Sequence, residues 1–237
     1  MPALTPDDVE RAIGYTFRDR DLLRAACERE SPEFAALEFI GDAYLNLAVC
    51  LACWHAGMEP DAAVRRFKND NLRSRFASLF GRRRGTEKED YLETTIGALS
   101  FEAGFEEIVQ VALHLVDASL PVPPFADRDA DALHESTQFR RARWLGEATL
   151  KCVAVDLLRE LHGPRGRAAR QLYEDLANLM HDLNNRLSPG WSSRWSGTAP
   201  PARRVLARRT AATLVEFGWE TTRGLVRREL GFGPEHR

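Results

Sequence analysis

The stretch LEFIGDAYL, residues 37–45, places two carboxylates inside a run that is otherwise almost wholly apolar. Glu38 and Asp42 are four residues apart, so they share one face of an α-helix. An ionised carboxylate in apolar surroundings is costly unless an opposite charge accompanies it. The stretch therefore predicts a core helix whose acidic face meets either an arginine or a bound cation.

The composition is that of a chain with a sizeable core and no general attraction for nucleic acid. Of the 237 residues, 44% are hydrophobic, which is enough for one large domain or two of modest size. Acids and bases nearly cancel, to a formal charge of -2. Any nucleic-acid partner would therefore have to be held by local patches or by metal.

The cysteines and the N-terminus favour a reducing compartment. Cys50 and Cys53 have the C-x-x-C spacing of zinc sites and redox centres, but they lie in the apolar run LNLAVCLACW without a second such motif. We expect them to pack in the core, and we expect no disulfides. The N-terminus lacks a charged segment followed by an apolar stretch, so we predict a soluble, cytoplasmic protein that does not enter a membrane.

Apolar residues recur at three- and four-residue intervals along almost the whole chain, which predicts an all-α protein. Thr5, Pro6 and the two acids that follow are typical of a helix start. The predicted helices are a first one ending near residue 13, then 19–28, 33–56, 61–80, 87–101, 104–118, 138–161, 168–187 and 201–230.

An internal repeat divides these helices into two sets. FAALEFIGDAYL (34–45) aligns with FRRARWLGEATL (139–150), and IGALSFEAGFEE (96–107) aligns with TAATLVEFGWET (210–221). A weaker match between them joins KNDNLRSRFA to LNNRLS in the same order. The segment between the repeats is proline-rich and then acidic, which indicates a linker. We predict two tandem helical domains, residues 1–120 and 132–237, joined by a linker at 121–131.

A second pair of acids, Asp90 and Glu93, opens the later helix DYLETTIGALSF. The pair has a simple explanation, because acids in a first turn complement the helix dipole. Together with Glu38 and Asp42, however, it makes four carboxylates on two helices that carry small residues at their contact. Magnesium and manganese prefer oxygen-rich, negative sites of this kind.

These residues resemble the ribonuclease III family. EFIGDA (38–43) is similar to the family's signature helix, and Asp90 and Glu93, leading into Gly97, Ala98 and Gly104, are similar to its second acidic motif. GYTFRDRDLL (14–23) resembles the first conserved block of the family, and FKNDNLRSRFA (67–77) resembles the middle one. The resemblance covers residues 10–118 well and residues 125–230 more weakly, through the repeat.

The resemblance implies that Glu38, Asp42, Asp90 and Glu93 are catalytic metal ligands. The expected reaction is hydrolysis of phosphodiester bonds in double-stranded or structured RNA, with Mg²⁺ as cofactor and Mn²⁺ as a substitute. Family members often carry another acid three residues before the signature glutamate, where this chain has Ala35. The family also implies that the two domains pair within the chain as a pseudo-dimer, and it leaves further homodimerisation open.

The second domain keeps the framework of the first but not its acids. The repeat replaces Glu38, Asp42, Asp90 and Glu93 by Arg143, Glu147, Arg204 and Ala207. Two arginines would repel a cation, so we predict a degenerate domain without a second metal site. RNA phosphates are one expected partner of its arginines, and a solvated helix face is the other explanation. The same two explanations apply to Arg82, Arg83 and Arg84 in the first domain, so the expected RNA contacts are these three residues with Arg143 and Arg204.

Two other functions are compatible with the same residues. One is a non-catalytic RNA-binding or ribosome-associated protein on the same fold, although four intact acids argue against it. The other is a helical metal-binding or scaffold protein unrelated to RNA.

Overall fold

The computed structural model describes residues 4–60, 69–80, 89–116, 136–163, 169–187 and 201–232. Within these ranges the regular structure is entirely α-helical, as predicted. The helices are α1 (Pro6–Ile13), α2 (Arg20–Cys27), α3 (Phe34–His55), α4 (Asn69–Phe80), α5 (Asp90–Leu99), α6 (Phe105–Val116), α7 (Ser136–His162), α8 (Ala169–Leu187) and α9 (Pro201–Glu229).

Local signals set the ends of α1. The side chain of Thr5 accepts a hydrogen bond from the backbone N–H of Asp8, and the Asp8 carboxylate accepts one from the backbone N–H of Thr5. This reciprocal capping box satisfies two N–H groups that the first turn leaves unpaired. Gly14 closes the helix in the left-handed conformation, with φ 69°.

The contacts between residues divide the chain into two compact units. The first contains residues 1–123 and 159–172, and the second contains residues 124–158 and 173–237. The first unit thus includes a segment that we assigned to the second domain. The predicted linker lies outside the described residues, and both the domain boundaries and the pairing of the domains within the chain stay predictions.

The first unit is built around α3, whose residues are buried along most of its length. All four cysteines are buried thiols outside any disulfide, and their burial is as expected for core residues. By length and composition, α3 is also the one helix of the described residues that could span a membrane. Within the qualifying window, however, 78% is buried inside the protein, which is the pattern of a core helix.

Two glycines let α3 and α5 pack with their backbones in contact. A Cβ atom at Gly41 would lie 1.7 Å from the carbonyl oxygen of Glu93, and one at Gly97 would lie 2.0 Å from the carbonyl oxygen of Leu37. No side chain can occupy these positions without moving one of the helices. The small residues of both sequence motifs thus determine how closely the acidic helices approach.

Replacing Gly41 by alanine should destabilise the protein by about 1–3 kcal/mol or more, because the added methyl group meets a backbone oxygen that cannot rotate away. Urea unfolding measures the effect. Gly224 is a matched control, since it also lies inside a helix but a Cβ atom there would have no neighbour within 4 Å. Its replacement by alanine should raise stability by about 0.5–1 kcal/mol. Equal effects of the two changes would contradict the close helix contact.

The second unit repeats this helix contact. A Cβ atom at Gly146 on α7 would lie 1.7 Å from the carbonyl oxygen of Ala207 on α9. The sequence repeat aligns these residues with Gly41 and Glu93. The helix α9 is also interrupted at Gly218, with φ 77° and ψ -175°. In the first unit the aligned Gly104 lies between α5 and α6, so both units break the chain at the corresponding glycine.

Candidate metal centre

The close packing of α3 and α5 brings three of the four predicted acids together. Glu38, Asp90 and Glu93 each offer a carboxylate oxygen, and these atoms all lie within 4.8 Å of one another. All three side chains are partly buried. Such a cluster, with ligands from two helices, is of the kind that binds a divalent cation through oxygen.

Asp42 lies outside this group of three. Its charge nevertheless acts on the group, because Asp42 is the strongest charged influence on the pKa of Glu93. The structure therefore places Asp42 near the cluster without bringing its oxygens equally close to the other three acids. Its predicted role as a direct ligand stays a prediction.

Burial and mutual repulsion raise the pKa values of the clustered acids. Burial first, and then the charges of Asp42, Glu38, Asp90 and Glu89, raise the pKa of Glu93 to about 8. Burial, followed by the charges of Glu38 and Glu89, raises the pKa of Asp90 to about 6. The pKa of Glu38 is also raised, mainly by burial. Each shift records an unfavourable ionised state that a nearby positive charge would relieve.

Arg29 supplies part of that positive charge. Its Nη1 lies 3.5 Å from Oδ2 of Asp90, and it lowers the pKa values of both Asp90 and Glu38. An arginine charge thus acts on Glu38, although the ion pair of Arg29 is with Asp90. One guanidinium does not balance the cluster, however, because burial and like charges still dominate at both acids.

Glu89 is a fifth acid at this site, and the motifs did not identify it. Its side chain is 4% exposed, and Nε of Arg73 on α4 donates to both of its carboxylate oxygens, at 2.9 and 2.8 Å. The sequence signal was its position directly before Asp90. Its burial and its arginine partner are tertiary features.

The donor set fits a hard divalent cation. Carboxylate oxygens are the ligands that Mg²⁺ and Mn²⁺ prefer, and the cluster carries more negative charge than its arginine neighbours neutralise. Glu38, Asp90 and Glu93 would hold the cation, with Asp42 beside them. The identity of the metal is a proposal.

In the second unit, an arginine pairs with the acid that corresponds to Asp42. Arg203 donates from Nε and Nη2 to Oε2 of Glu147, at 3.1 and 2.7 Å. The repeat aligns Glu147 with Asp42, so the one acid retained from the four is paired with a guanidinium. The sequence repeat did not identify this pair.

The predicted RNA-binding arginines are only partly described. Arg143 and Arg204 are partly buried, and each lies three residues before the contact of Gly146 with Ala207. They therefore lie about one helical turn from that contact. Arg82, Arg83 and Arg84 lie outside the described residues.

Comparison with known proteins supports the resemblance. No protein-family model matches the sequence. The chain is 33% identical to Ribonuclease 3 of Pseudomonas aeruginosa (strain LESB58) over 156 residues, which are 63% of this chain and 63% of that protein. It is 27% identical to Ribonuclease 3 of Xanthomonas oryzae pv. oryzae over 157 residues, 56% of this chain and 70% of the relative.

A third relative, Ribonuclease 3 of Campylobacter jejuni, is 30% identical over 141 residues, which are 48% of this chain and 62% of that protein. The chain thus spans about three fifths of the length of the Pseudomonas and Campylobacter relatives. The match to several proteins of one name agrees with the acidic motifs and the all-α fold. On these findings, the chain is similar to proteins of the ribonuclease III family over about half to two thirds of its length.

Proposed function

We propose that this protein is a metal-dependent endoribonuclease that hydrolyses phosphodiester bonds in double-stranded or structured RNA. The observation that carries the proposal is the convergence of Glu38, Asp90 and Glu93 within 4.8 Å of one another. The relatives named Ribonuclease 3 support the choice of reaction and of substrate. Buried cysteines that form no disulfide are compatible with a cytoplasmic enzyme.

The carboxylates would bind Mg²⁺, with Mn²⁺ as a substitute. When bound, the cation supplies activation of a water nucleophile and stabilisation of the departing oxygen. Water attacks phosphorus and the bond to the 3′ oxygen breaks, so the products carry a 5′-phosphate and a 3′-hydroxyl. Because its pKa is raised to about 8, Glu93 would hold a proton at neutral pH in the metal-free chain and would have to release it to serve as a ligand.

The test is incubation of purified protein with duplex RNA, with and without Mg²⁺. Cleavage that requires Mg²⁺ and yields 5′-phosphate ends would support the proposal. Binding of the duplex without cleavage would favour the non-catalytic RNA-binding protein. Neither binding nor cleavage would favour a helical metal-binding or scaffold protein unrelated to RNA.

The proposal further assigns one complete catalytic centre to each chain. In the second unit, Arg203 pairs with Glu147, and the repeat substitutes Arg143, Arg204 and Ala207 for the other three acids. A cation would meet arginine charge at this position rather than a carboxylate cluster. The second unit would then support the first and contact RNA instead of cutting it.

One centre per chain predicts nicking of a single strand. If the two halves pair within one chain, a monomer should cut one strand of duplex RNA per binding event. If first halves pair between two chains, both strands should be cut together, because a symmetric dimer brings two equivalent centres. Duplex RNA labelled on each strand separates the two outcomes when the mass of the protein in solution is measured in parallel. Concerted cleavage by a dimer would contradict pairing within the chain.

The arginines of the second unit should contribute to RNA affinity through phosphates. Replacing Arg143 and Arg204 together by alanine should weaken duplex binding and flatten its salt dependence, by close to one unit of slope for each lost phosphate contact. Binding titrations at several salt concentrations measure the slope. Arg228→Ala is the control, because Arg228 is exposed on the same helix α9 but lies far along the chain from Arg204. An unchanged slope in the double variant would assign the two arginines to a solvated face.

A further inference from the structure

An ion pair between Arg73 and Glu89 holds the start of α5, and neither residue is one of the candidate metal ligands. Arg73 approaches Glu89 with two nitrogens, since Nε lies 2.9 and 2.8 Å from the two carboxylate oxygens and Nη2 lies 2.7 Å from Oε1. Such a forked pair fixes direction as well as distance. It joins α4 to the residue directly before Asp90.

Helix capping does not explain the side chain of Glu89. Glu89 occupies the N-cap position of α5, but its side chain makes no capping hydrogen bond. Its carboxylate is committed to Arg73 instead, while its backbone carbonyl accepts a hydrogen bond from the N–H of Glu93, at 3.3 Å. The residue that Arg73 holds is therefore bonded to one candidate ligand and adjacent in sequence to another.

A second contact from α4 lies on the other side of Asp90. The ring of Phe76 packs against Tyr91, with centroids 5.8 Å apart, and Tyr91 also meets Phe34 of α3 edge to face, at 5.3 Å. Arg73 and Phe76 are three residues apart, so they lie on one face of α4. That face holds Glu89 and Tyr91, the two residues on either side of Asp90.

We propose that Arg73 and Glu89 form a positioning pair for the candidate metal centre, which fixes the first turn of α5 and thereby directs the carboxylates of Asp90 and Glu93 toward the cation. The inference rests on the proposed function, because it requires that the acidic cluster binds a metal. Neither residue touches the reacting atoms. The pair acts through the orientation of the two ligands.

The direction in which metal affinity changes on replacing Arg73 distinguishes a positioning role from a purely electrostatic one. Removing the positive charge of Arg73 would by itself strengthen the attraction of the site for a cation. Loss of a group that orients metal ligands weakens binding instead, typically about 10- to 100-fold. Arg73→Met keeps much of the apolar stem while removing the charge and the fork. Arg73→Lys keeps the charge but cannot form the bidentate pair. Its metal affinity should lie between those of Arg73→Met and the wild type.

Arg75 offers a matched control on the same helix. Its guanidinium donates to the backbone carbonyls of Leu115, at 3.2 Å, and His114, at 2.8 Å, so it joins α4 to α6. Arg75→Met removes a comparable set of hydrogen bonds without touching the start of α5. A purely structural role for Arg73 predicts that the two methionine variants behave alike.

The experiment measures the Kd for Mn²⁺ by electron paramagnetic resonance of the free ion, together with the Tm of each metal-free variant. We expect Arg73→Met to weaken Mn²⁺ binding about 10- to 100-fold, and Arg75→Met to lower the Tm with an unchanged Kd. If the wild type binds Mn²⁺ and Arg73→Met binds it equally well or more tightly, the positioning role is wrong while the proposed function stands. Equal weakening by Arg73→Met and Arg75→Met would also overturn it. If the wild type does not bind Mn²⁺, the proposed function fails, and the positioning role fails with it.

Discussion

Replacing Glu93 by glutamine should reduce the rate of Mg²⁺-dependent cleavage of duplex RNA by about a thousandfold or more, because it removes one ligand charge at nearly constant size. The same change should leave RNA binding largely intact. Single-turnover cleavage and a binding titration measure the two effects. Glu106→Gln is a control that removes a similar charge from an exposed position on α6. Asp42→Asn tests the acid outside the group of three, and near-wild-type cleavage by both Glu93→Gln and Asp42→Asn would refute the assignment.

The pH dependence of stability provides a second measurement on Glu93→Gln. In the metal-free protein, burial and the neighbouring acids raise the pKa of Glu93 from its ordinary value of 4.5 to about 8. The stability that its protonated form contributes is therefore fully present below about pH 4.5 and is lost as the pH rises through 8. Glutamine does not titrate, so the variant should gain stability relative to the wild type across this range.

At high pH, Mg²⁺ should make the wild type more stable than Glu93→Gln. A ligand that binds only the folded state stabilises it, and this effect should be larger for the wild type than for Glu93→Gln. Thermal unfolding at pH 6 and pH 9, with and without Mg²⁺, gives the comparison. A variant that is stabilised by Mg²⁺ as much as the wild type would show that Glu93 is not a ligand.

Asp156→Ala should destabilise the second unit by about 3–5 kcal/mol, because it leaves a buried guanidinium without its carboxylate. Nε of Arg223 on α9 donates to Oδ2 of Asp156 on α7 at 2.7 Å. The side chains of Arg223 and Asp156 are only 9% and 3% exposed. Urea unfolding followed by circular dichroism measures the loss.

The first unit suggests the control for this change. Continued along the helices, the repeat aligns Asp156 with Leu51 and Arg223 with Val109, and both of these apolar residues are buried. The double variant Asp156→Leu with Arg223→Val should be close to the wild type in stability or above it, since apolar residues often replace a buried ion pair without loss. A double variant as unstable as Asp156→Ala would contradict the equivalence of the two helix pairs.

The sequence by itself determined most of the secondary structure. Apolar periodicity and start signals such as Thr5 and Pro6 involve residues within one or two helical turns of each other, so they are readable from a short window. The same locality made the spacing of Glu38 and Asp42 informative, because four residues on a helix fix a shared face. The repeat identified the acids and their replacements in the second half.

The break in α9 shows where local reasoning stopped. The apolar pattern of residues 201–230 predicts one helix, and Gly218 inside it has a positive φ. Glycine within a helical pattern is compatible with either a continuous helix or a break. The repeat contained the missing signal, because it aligned Gly218 with Gly104 at a position where the first half changes helix.

Only the tertiary structure decided which charges meet. Arg73 and Glu89 are 16 residues apart, Glu147 and Arg203 are 56 apart, and Asp156 and Arg223 are 67 apart. Each of these pairs depends on the register and approach of two segments that are far apart in the sequence. Helix packing also decides that Glu38, Asp90 and Glu93 form one group and that Asp42 lies outside it. A helical face is a local property of the chain, whereas distances of a few ångströms between side chains on different helices are set by how those helices pack.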